Sequence, residues 1–217
     1  MAGFWIRGVR VLFYYKIIKY YFKKAGGIKL DIEKIFEKFP SIETHRLNLI
    51  ELKEEYDKDL FKFFSDKKVM QYYDIDPLET IDDARKQINK FIDKYKNGLT
   101  IRWGISLKEE DKIIGTCGYH NWVKGYFRAE IGYELSSDYW QKGIMTEALV
   151  KVISFGFTEM NLNRIQALVY PENTASLELL KKCGFEEEGL LKEYAFFRGE
   201  FRDLIILSLL KNEYMKD

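Results

Sequence analysis

The spacing of apolar residues predicts strands and helices along the first half of the chain. Apolar and polar residues alternate in Thr44–Leu52, which is therefore predicted to be a strand. Apolar residues recur at helical spacing in Asp57–Phe64, and again after Thr80-Ile81-Asp82-Asp83, which fits the start signal of a helix. Asn97-Gly98 predicts where this second helix ends.

The second half of the chain continues with strands and helices in turn. The predicted elements are strands at Trp103–Leu107, Lys112–Tyr119 and Ala129–Ser136, a helix from Gly143 to Met160, a strand at Arg164–Val169, a helix that Asn173 caps and Gly184 ends, and strands at Glu188–Arg198 and Phe201–Leu210. We expect helix-linked strands to run parallel and hairpin-linked strands antiparallel. The element order β-α-α-β-β-β-α-β-α-β-β therefore predicts an α/β fold, with helices on the faces of a mixed sheet.

The composition is that of a globular domain with an added N-terminal segment. Of the 217 residues, 47% are hydrophobic and three are proline, which is unlike a disordered chain. Residues 1–24 contain six basic residues and no acidic one, so the remainder has 29 basic and 34 acidic residues. This acidic balance argues against a nucleic-acid-binding protein. We expect a basic, aromatic and helical extension at residues 1–28 and one domain at residues 29–217.

The N-terminal segment has two interpretations. Charged residues interrupt its apolar stretch, so no uncharged run approaches the ~20 residues of a transmembrane helix. It also lacks the apolar region and cleavage site of a signal peptide. Residues 1–24 suit a helix on a membrane surface, or an extra helix that packs on the body or on another subunit. We expect a cytoplasmic protein that is a monomer or a homodimer.

The sequence contains two cysteines, Cys117 and Cys183. They are too few for a secreted disulfide framework, so we expect two reduced core cysteines. With only His45 and His120 available as histidine bases, no convincing triad around a cysteine nucleophile can be assembled. No metal site is expected.

The passage from strand to helix at Tyr133–Ala148 is the strongest local signal for chemistry. A helix N-terminus presents unpaired N–H groups and a partial positive charge. Gly143 allows the backbone to approach a bulky anion, and Lys142 adds a cation. These features predict a phosphate-binding loop, although on the local pattern alone a plain helix start is the simpler interpretation. The residues assigned to the loop are Trp140, Gln141, Lys142, Gly143, Ile144, Met145 and Thr146.

Several short segments, taken in order, resemble the GNAT acetyltransferase superfamily, and specifically its RimJ/RimL-like branch of ribosomal-protein N-acetyltransferases. The resemblance extends from about Phe39 to Leu210. The segments that carry it are Ile42–Leu47, Ile113-Ile114-Gly115, Glu130–Tyr133, Tyr139–Ala148, Asn173-Thr174-Ala175-Ser176, Lys182–Phe185 with Glu188-Gly189, and Gly199–Asp203. The resemblance implies a mostly antiparallel, twisted sheet. It also implies acetyl transfer from acetyl-CoA to a primary amine, which is either a protein N-terminus or a small molecule such as an amino acid, a polyamine or an antibiotic.

The loop differs from the general family pattern at two positions, of which the first commonly holds tryptophan in the RimJ/RimL-like branch and the last is a true departure. The family pattern is Gln/Arg-x-x-Gly-x-Gly/Ala, whereas this chain has Trp140 in the first position and Met145 in the last. Gly143 is retained. Because methionine is larger than the pattern expects, we predict either that its side chain points away from the pyrophosphate or that the loop is shifted.

The resemblance also implies where the rest of the cosubstrate lies. The pantetheine would follow the strand Ile131–Ser136, which would splay from Arg164–Val169. Backbone groups of Leu135 and Ser136 would then pair with its amides. Asn173 would contact the cofactor arm, although this residue is equally a plain helix cap.

Acetyl transfer to an amine requires a base for the acceptor and a donor for the leaving thiolate. Ser176 matches the serine to which this branch assigns the role of proton donor, and it is also a typical first-turn serine. Three candidates for the base are Glu134, Glu193 and His120, and a water-relayed base is a fourth. Glu193 lies two residues from the position at which relatives have a carboxylate, where this chain has Ala195; residues two apart on a strand share a face. A non-catalytic acyl-CoA-binding module is the competing functional class.

Overall fold

A computed structural model describes residues 34–110 and 112–216 of the chain. The extension predicted at residues 1–28, with its membrane or subunit contacts, lies outside the described residues. None of the helices in these described ranges has the length and hydropathy of a membrane-spanning segment.

The predicted order of helices and strands is confirmed, with short elements added at both ends and before the first long strand. The helices are α1 Lys34–Glu37, α2 Asp57–Phe64, α3 Ile81–Lys96, α4 Ile144–Thr158, α5 Thr174–Lys182 and α6 Lys211–Tyr214. The strands are β1 Ile42–Glu43, β2 Leu47–Glu51, β3 Ile101–Leu107, β4 Gly115–Val123, β5 Arg128–Leu135, β6 Arg164–Val169, β7 Glu186–Phe197 and β8 Glu200–Leu210.

These strands form one sheet in the order β1-β2-β3-β4-β5-β6-β8-β7. Neighbouring strands run antiparallel, except that β5 and β6 are parallel, which confirms the mostly antiparallel sheet. The expectation that helix-linked strands run parallel is wrong for β2 and β3, which pair antiparallel. Two helices lie between these strands, and the second returns the chain to the end of the sheet at which β2 finished.

The alternation of side chains along the strands separates the sheet into two faces. The α4 face carries the larger core, in which the Trp103 and Phe155 rings lie 5.3 Å apart and the Tyr119 hydroxyl donates to Val152 O at 2.8 Å. The α3 face carries a smaller core from β2, α2 and α3. Its buried members are Leu52, Leu60, Phe63, Phe64, Met70, Ala84, Ile88 and Ile113. The two cores hold the helices in place on opposite faces of the sheet.

Both predicted helix caps are confirmed. The Thr80 hydroxyl accepts from the Asp83 N–H at 3.2 Å, and Asn173 Oδ1 accepts from the Ser176 N–H at 3.2 Å. Gly184, just beyond α5, has the left-handed backbone (φ +88°) that favours glycine after a helix.

Gly118 marks a close approach of β4 to β3. A Cβ atom at this position would overlap the Ile101 carbonyl oxygen and lie 2.8 Å from Arg102 Cα, both of which are backbone atoms.

We expect Gly118→Ala to lower the free energy of unfolding by about 2–3 kcal/mol, because the strands must separate to admit the methyl group. Urea denaturation would measure this. Lys151→Ala, at an exposed position of α4, is the control and should change stability by less than about 0.5 kcal/mol. Wild-type stability of Gly118→Ala would show that the strands are not held this closely.

Candidate active site

An opening lies between β5 and β6. The two strands pair at Arg128 with Arg164, at Ala129 with Ile165 and at Glu130 with Gln166, and the pairing then ends. From Ile131 to Leu135, the edge of β5 towards β6 therefore has no strand partner in the described part of the chain. The Gln166 side chain donates to Glu130 Oε1 at 3.1 Å and closes the base of the opening.

The loop that follows β5 is held from several sides. The Trp140 indole N–H donates to Leu135 O at 2.8 Å, the Ser136 N–H donates to Ile114 O at 2.8 Å, and the Ser137 hydroxyl donates to Asp66 Oδ2 at 2.8 Å. The Lys142 ammonium donates to Asp138 O at 2.8 Å. These bonds fix the loop, and they already engage the Leu135 carbonyl and the Ser136 N–H.

The start of α4 presents free backbone donors. Gly143 has φ +72° and Gln141 has φ +60°, so the backbone turns sharply just before the helix. Among the described residues, the N–H groups from Gln141 to Thr146 have no acceptor, and Glu147 is the first to bond back, to Gly143 O at 3.1 Å. A run of unpaired N–H groups at a helix N-terminus suits a phosphate.

The first two side chains of α4, those of Ile144 and Met145, point into the core. Met145 is only 7% exposed and packs with the α4-face core. Its side chain therefore points away from the surface of the loop, which is one of the two outcomes expected from its size.

The Glu147 carboxylate of α4 connects the loop to the residues just before β2, a contact that was not predicted from the sequence. Glu147 Oε1 accepts from the Thr44 hydroxyl at 2.5 Å and from the Arg46 N–H at 2.8 Å, and Oε2 accepts from Arg46 Nε at 2.7 Å. Arg46 Nη1 also donates to Lys142 O at 3.1 Å. Partial burial would raise the pKa of Glu147, but the bonds from Thr44 and Arg46 outweigh it and lower this pKa to about 2.

Ser176 lies in the first turn of α5 and bonds to a residue that was not predicted. Its Oγ lies 2.7 Å from the hydroxyl oxygen of Tyr133, which is on β5 beside the opening. Burial raises the pKa of the Tyr133 phenol well above its usual value, although the bond to Ser176 lowers it. The phenol therefore keeps its proton at neutral pH.

Glu134, which follows Tyr133 on β5, is buried on the opposite, α3 face of the sheet. Its Oε2 accepts hydrogen bonds from the Arg102 guanidinium and from the Thr116 hydroxyl. Its Oε1 is buried and has no partner in the described part of the chain. Burial raises the pKa of the Tyr73 phenol, and the negative charge of Glu134 raises it further, with an added contribution from a contact of the two side chains that lies outside good hydrogen-bond geometry. A buried carboxylate oxygen without a donor is rare, because it costs free energy until a donor reaches it.

The other two candidate bases lie elsewhere. His120 Nε2 is 3.3 Å from Glu130 Oε2, at the closed base of the opening. Glu193 is exposed on β7, with φ +50°, and its N–H donates to Asp203 Oδ1 at 2.7 Å. The argument that Glu193 shares a face with Ala195 is wrong, because the register of β7 shifts between Leu191 and Ala195 and breaks the alternation.

Comparison with known proteins shows which family the chain belongs to. Residues 46–186 match the acetyltransferase (GNAT) domain family. The chain is 42% identical over 171 residues to an uncharacterized N-acetyltransferase, p20, of Bacillus licheniformis, covering 79% of this chain and 96% of that protein. The ribosomal-protein-S5-alanine acetyltransferase structure from Vibrio fischeri is 26% identical, with a TM-score of 0.68, over 80% of this chain and 97% of that one. Mycobacterium smegmatis RimJ in complex with CoA-disulfide has a TM-score of 0.73 at 24% identity, over 80% and 88% of the two chains.

The chain therefore belongs to the GNAT acetyltransferase family, within its RimJ/RimL-like branch. It is an N-acetyltransferase, as the sequence predicted.

The contact of Glu147 with Arg46 predicts a pH dependence of stability. The folded-state pKa lies below the ordinary 4.5, so the contribution is fully present above about pH 4.5 and is lost as the pH falls towards 2. We expect Glu147→Gln to lower the free energy of unfolding by about 1–2 kcal/mol at pH 7, after solvent screening. Urea denaturation at a series of pH values should show this difference shrinking below pH 4.5.

Glu159→Gln removes an exposed carboxylate just after the same helix and is the matched control. Its difference from wild type should stay small at every pH. If the difference for Glu147→Gln did not change with pH, the ion pair would not be its cause.

Proposed function

We propose that this enzyme transfers an acetyl group from acetyl-CoA to a protein N-terminal α-amine, by direct attack of the amine in a ternary complex. The observation that carries the proposal is the unpaired edge of β5, at which the consecutive residues Tyr133 and Glu134 face opposite sides of the sheet. A thiol and an amine can approach such an edge from different faces and meet at the backbone. One face supplies the Ser176 hydroxyl, and the other supplies a carboxylate.

The residues around the opening suit a nucleotide thioester. The free N–H groups from Gln141 to Thr146 would hold the pyrophosphate. The pantetheine arm would follow the unpaired edge from Ile131 to Leu135, where its amides replace the missing strand. The Leu135 carbonyl and Ser136 N–H are already bonded within the protein, so the arm would pair with groups earlier on β5. Asn173 caps α5 and would meet the arm from the opposite side of the opening.

Glu134 is the candidate base that the geometry favours. An attacking amine must be neutral, and an α-amine, with a pKa of ~8, loses its proton far more readily than a lysine at ~10.4. The unpartnered Oε1 of Glu134 can accept that proton directly or through one water. Arg102 holds the other oxygen and keeps the carboxylate oriented. His120 bonds to Glu130, and Glu193 lies in the irregular stretch of an edge strand.

A peptide acceptor is supported by an aromatic cluster around Tyr170, the residue that follows β6. The Tyr170 ring lies 6.1 Å from Tyr72 and 6.5 Å from Phe197, and its buried hydroxyl has no partner among the residues described. Tyr72 of this cluster precedes Tyr73, whose pKa is raised by burial and then by the charge of Glu134, so the cluster lies near the Glu134 site. A peptide offers a backbone carbonyl beside its α-amine to such a hydroxyl, whereas a polyamine offers none. The S5-alanine acetyltransferase similarity points to the same class of acceptor.

We expect Glu134→Gln to lower the rate of acetyl transfer to a peptide with a free N-terminus by about 100-fold or more, because the carboxylate that accepts the proton is lost. Thiol release from acetyl-CoA would measure the rate, with a blocked peptide, spermidine and lysine as further acceptors. His120→Ala and Glu193→Gln are matched controls and should stay within a few-fold of wild type.

Full activity of Glu134→Gln would exclude this carboxylate as the base. Faster turnover of spermidine or lysine than of the free peptide would instead show a small-molecule acetyltransferase, which is the alternative function. A thermal melt of each variant separates lost activity from lost folding.

The phosphate-binding role of the loop can be tested at Gly143. A Cβ atom there would meet only Arg46 Nη2, at 3.6 Å, so Gly143→Ala fits the free protein apart from its strained φ. We expect the Kd for coenzyme A to rise about 10-fold or more, because the methyl group keeps the anion from the backbone, while kcat at saturation changes little. Isothermal titration calorimetry would measure the Kd.

Gly98→Ala is the matched control, since Gly98 has a similar φ of +67° at the end of α3. It should be destabilised by a similar amount, about 1 kcal/mol, without any change in the Kd. Equal Kd values for both variants would place the pyrophosphate elsewhere.

Two further expectations stay predictions. One is the contact of residues 1–24 with a membrane surface or another subunit, which lies outside the described residues. The other is the cytoplasmic location, together with the choice between monomer and homodimer.

A further inference from the structure

The Tyr133 hydroxyl has two oxygen neighbours, and both belong to Ser176. Ser176 Oγ lies at 2.7 Å and the Ser176 carbonyl oxygen at 3.5 Å. Tyr133 is partly buried against the α4-face core, and within the described part of the chain its hydroxyl has no other hydrogen-bond partner. The two hydroxyls therefore share one short hydrogen bond, whose direction determines where the remaining proton points.

The geometry favours Tyr133 as the donor in this bond. Each hydroxyl carries one hydrogen. If Ser176 donated to Tyr133, the phenol hydrogen would be left with a carbonyl at 3.5 Å, which is beyond a good hydrogen-bond distance. If Tyr133 donates to Ser176 Oγ at 2.7 Å, the phenol is satisfied and the serine hydrogen remains available. The second arrangement therefore leaves the phenol hydrogen with a good acceptor and keeps the serine hydrogen free for a ligand.

We propose that Tyr133 is a positioning residue, which accepts no proton itself but aims the Ser176 hydroxyl hydrogen into the opening, at the sulfur of the departing thiolate. This inference rests on the proposed function. In that reaction the amine nitrogen forms a bond to the thioester carbon and loses one proton to the base. The carbon–sulfur electron pair leaves with the sulfur, which ends as a thiol after taking up one proton.

The acidities of the serine hydroxyl and the thiol explain why the direction of the Ser176 hydrogen matters. An aliphatic hydroxyl is a much weaker acid than a thiol, whose pKa is ~8.5. Ser176 therefore stabilises the thiolate by donating a hydrogen bond, and the final proton comes from solvent or from the base. A hydrogen bond acts only when its hydrogen points at the acceptor. Without Tyr133, the Ser176 hydroxyl is free to rotate towards a nearby backbone carbonyl, since serine hydroxyls readily bond to local backbone groups.

The test is a double-mutant cycle on acetyl transfer to a peptide with a free N-terminus. We expect Ser176→Ala to lower kcat by about 10- to 100-fold, the range for a hydrogen bond to a charged group. Tyr133→Phe, which keeps the ring, should lower kcat by about 5- to 20-fold. The double variant should be no slower than Ser176→Ala alone, because Tyr133 acts through the serine. The Kd for coenzyme A should stay within about twofold of wild type in all three variants.

Tyr119→Phe is the matched control, because Tyr119 is another buried tyrosine of the α4 face, and its hydroxyl bonds to Val152 O. Any effect of this change on kcat should multiply with that of Ser176→Ala. If the role of Tyr133 were merely structural, the effects of Tyr133→Phe and Ser176→Ala on kcat would multiply in the same way.

The outcomes distinguish this inference from the function on which it rests. If the wild-type enzyme acetylates no amine, the proposed function is wrong and the inference falls with it. If wild type is active and Ser176→Ala is equally active, the serine has no role for Tyr133 to support. If Ser176→Ala is impaired but Tyr133→Phe is not, or if their effects multiply, the inference alone is overturned.

Discussion

The structure depends on the point at which β5 and β6 stop pairing. A parallel pair of strands would normally continue to bond along its whole length, because buried backbone groups need partners. Here the pairing ends at Glu130 and Gln166, and the backbone edge beyond it is left open. The binding loop, the start of α5 and the buried carboxylate all lie around this edge. A ligand that supplies amides to this edge would complete the sheet, so the site proposed for the pantetheine would be part of the fold.

The polar residues beneath the opening explain how a carboxylate is kept inside the protein. Glu134 is buried beside Arg102, and an isolated charge in this place would cost several kcal/mol. The guanidinium and the Thr116 hydroxyl compensate one oxygen and leave the other bare. The arrangement therefore stabilises the charged group without using all of its capacity to accept hydrogen bonds. A carboxylate that is to accept a proton from a substrate needs one oxygen that is not already hydrogen-bonded within the protein.

Local patterns predicted the elements well, and contacts between distant residues poorly. The caps at Thr80 and Asn173, the loop before α4 and the order of strands follow from neighbouring residues, which the sequence displays directly. Arg46 and Glu147 are 101 positions apart, so no spacing rule could pair them. The sequence contained a signal for this contact, since both residues lie in the segments that resemble the family and carry opposite charges. The two charges were not considered together as an ion pair.

Two errors have a common physical origin. The face assigned to Glu193 assumed an unbroken strand, and the direction assigned to β3 assumed that any helical connection makes its two strands parallel. A bulge leaves no strong mark on apolar spacing, and the spacing that correctly predicted two helices before β3 does not determine at which end of the sheet they leave the chain. Tyr133 was overlooked for a different reason, because an aromatic residue on a strand usually packs in a core. Only the position of α5 shows that its hydroxyl meets Ser176.

Met145 couples the binding loop to the interior of the protein. The position at which the family pattern has a small residue is filled by a side chain that is packed in the α4-face core. The geometry of the free N–H groups is therefore set partly by the volume of that core, and under the proposed function a core substitution remote from the loop would alter cosubstrate affinity. The same linkage would work in reverse, because a cosubstrate that binds only the folded protein raises its melting temperature as the free concentration rises above the Kd.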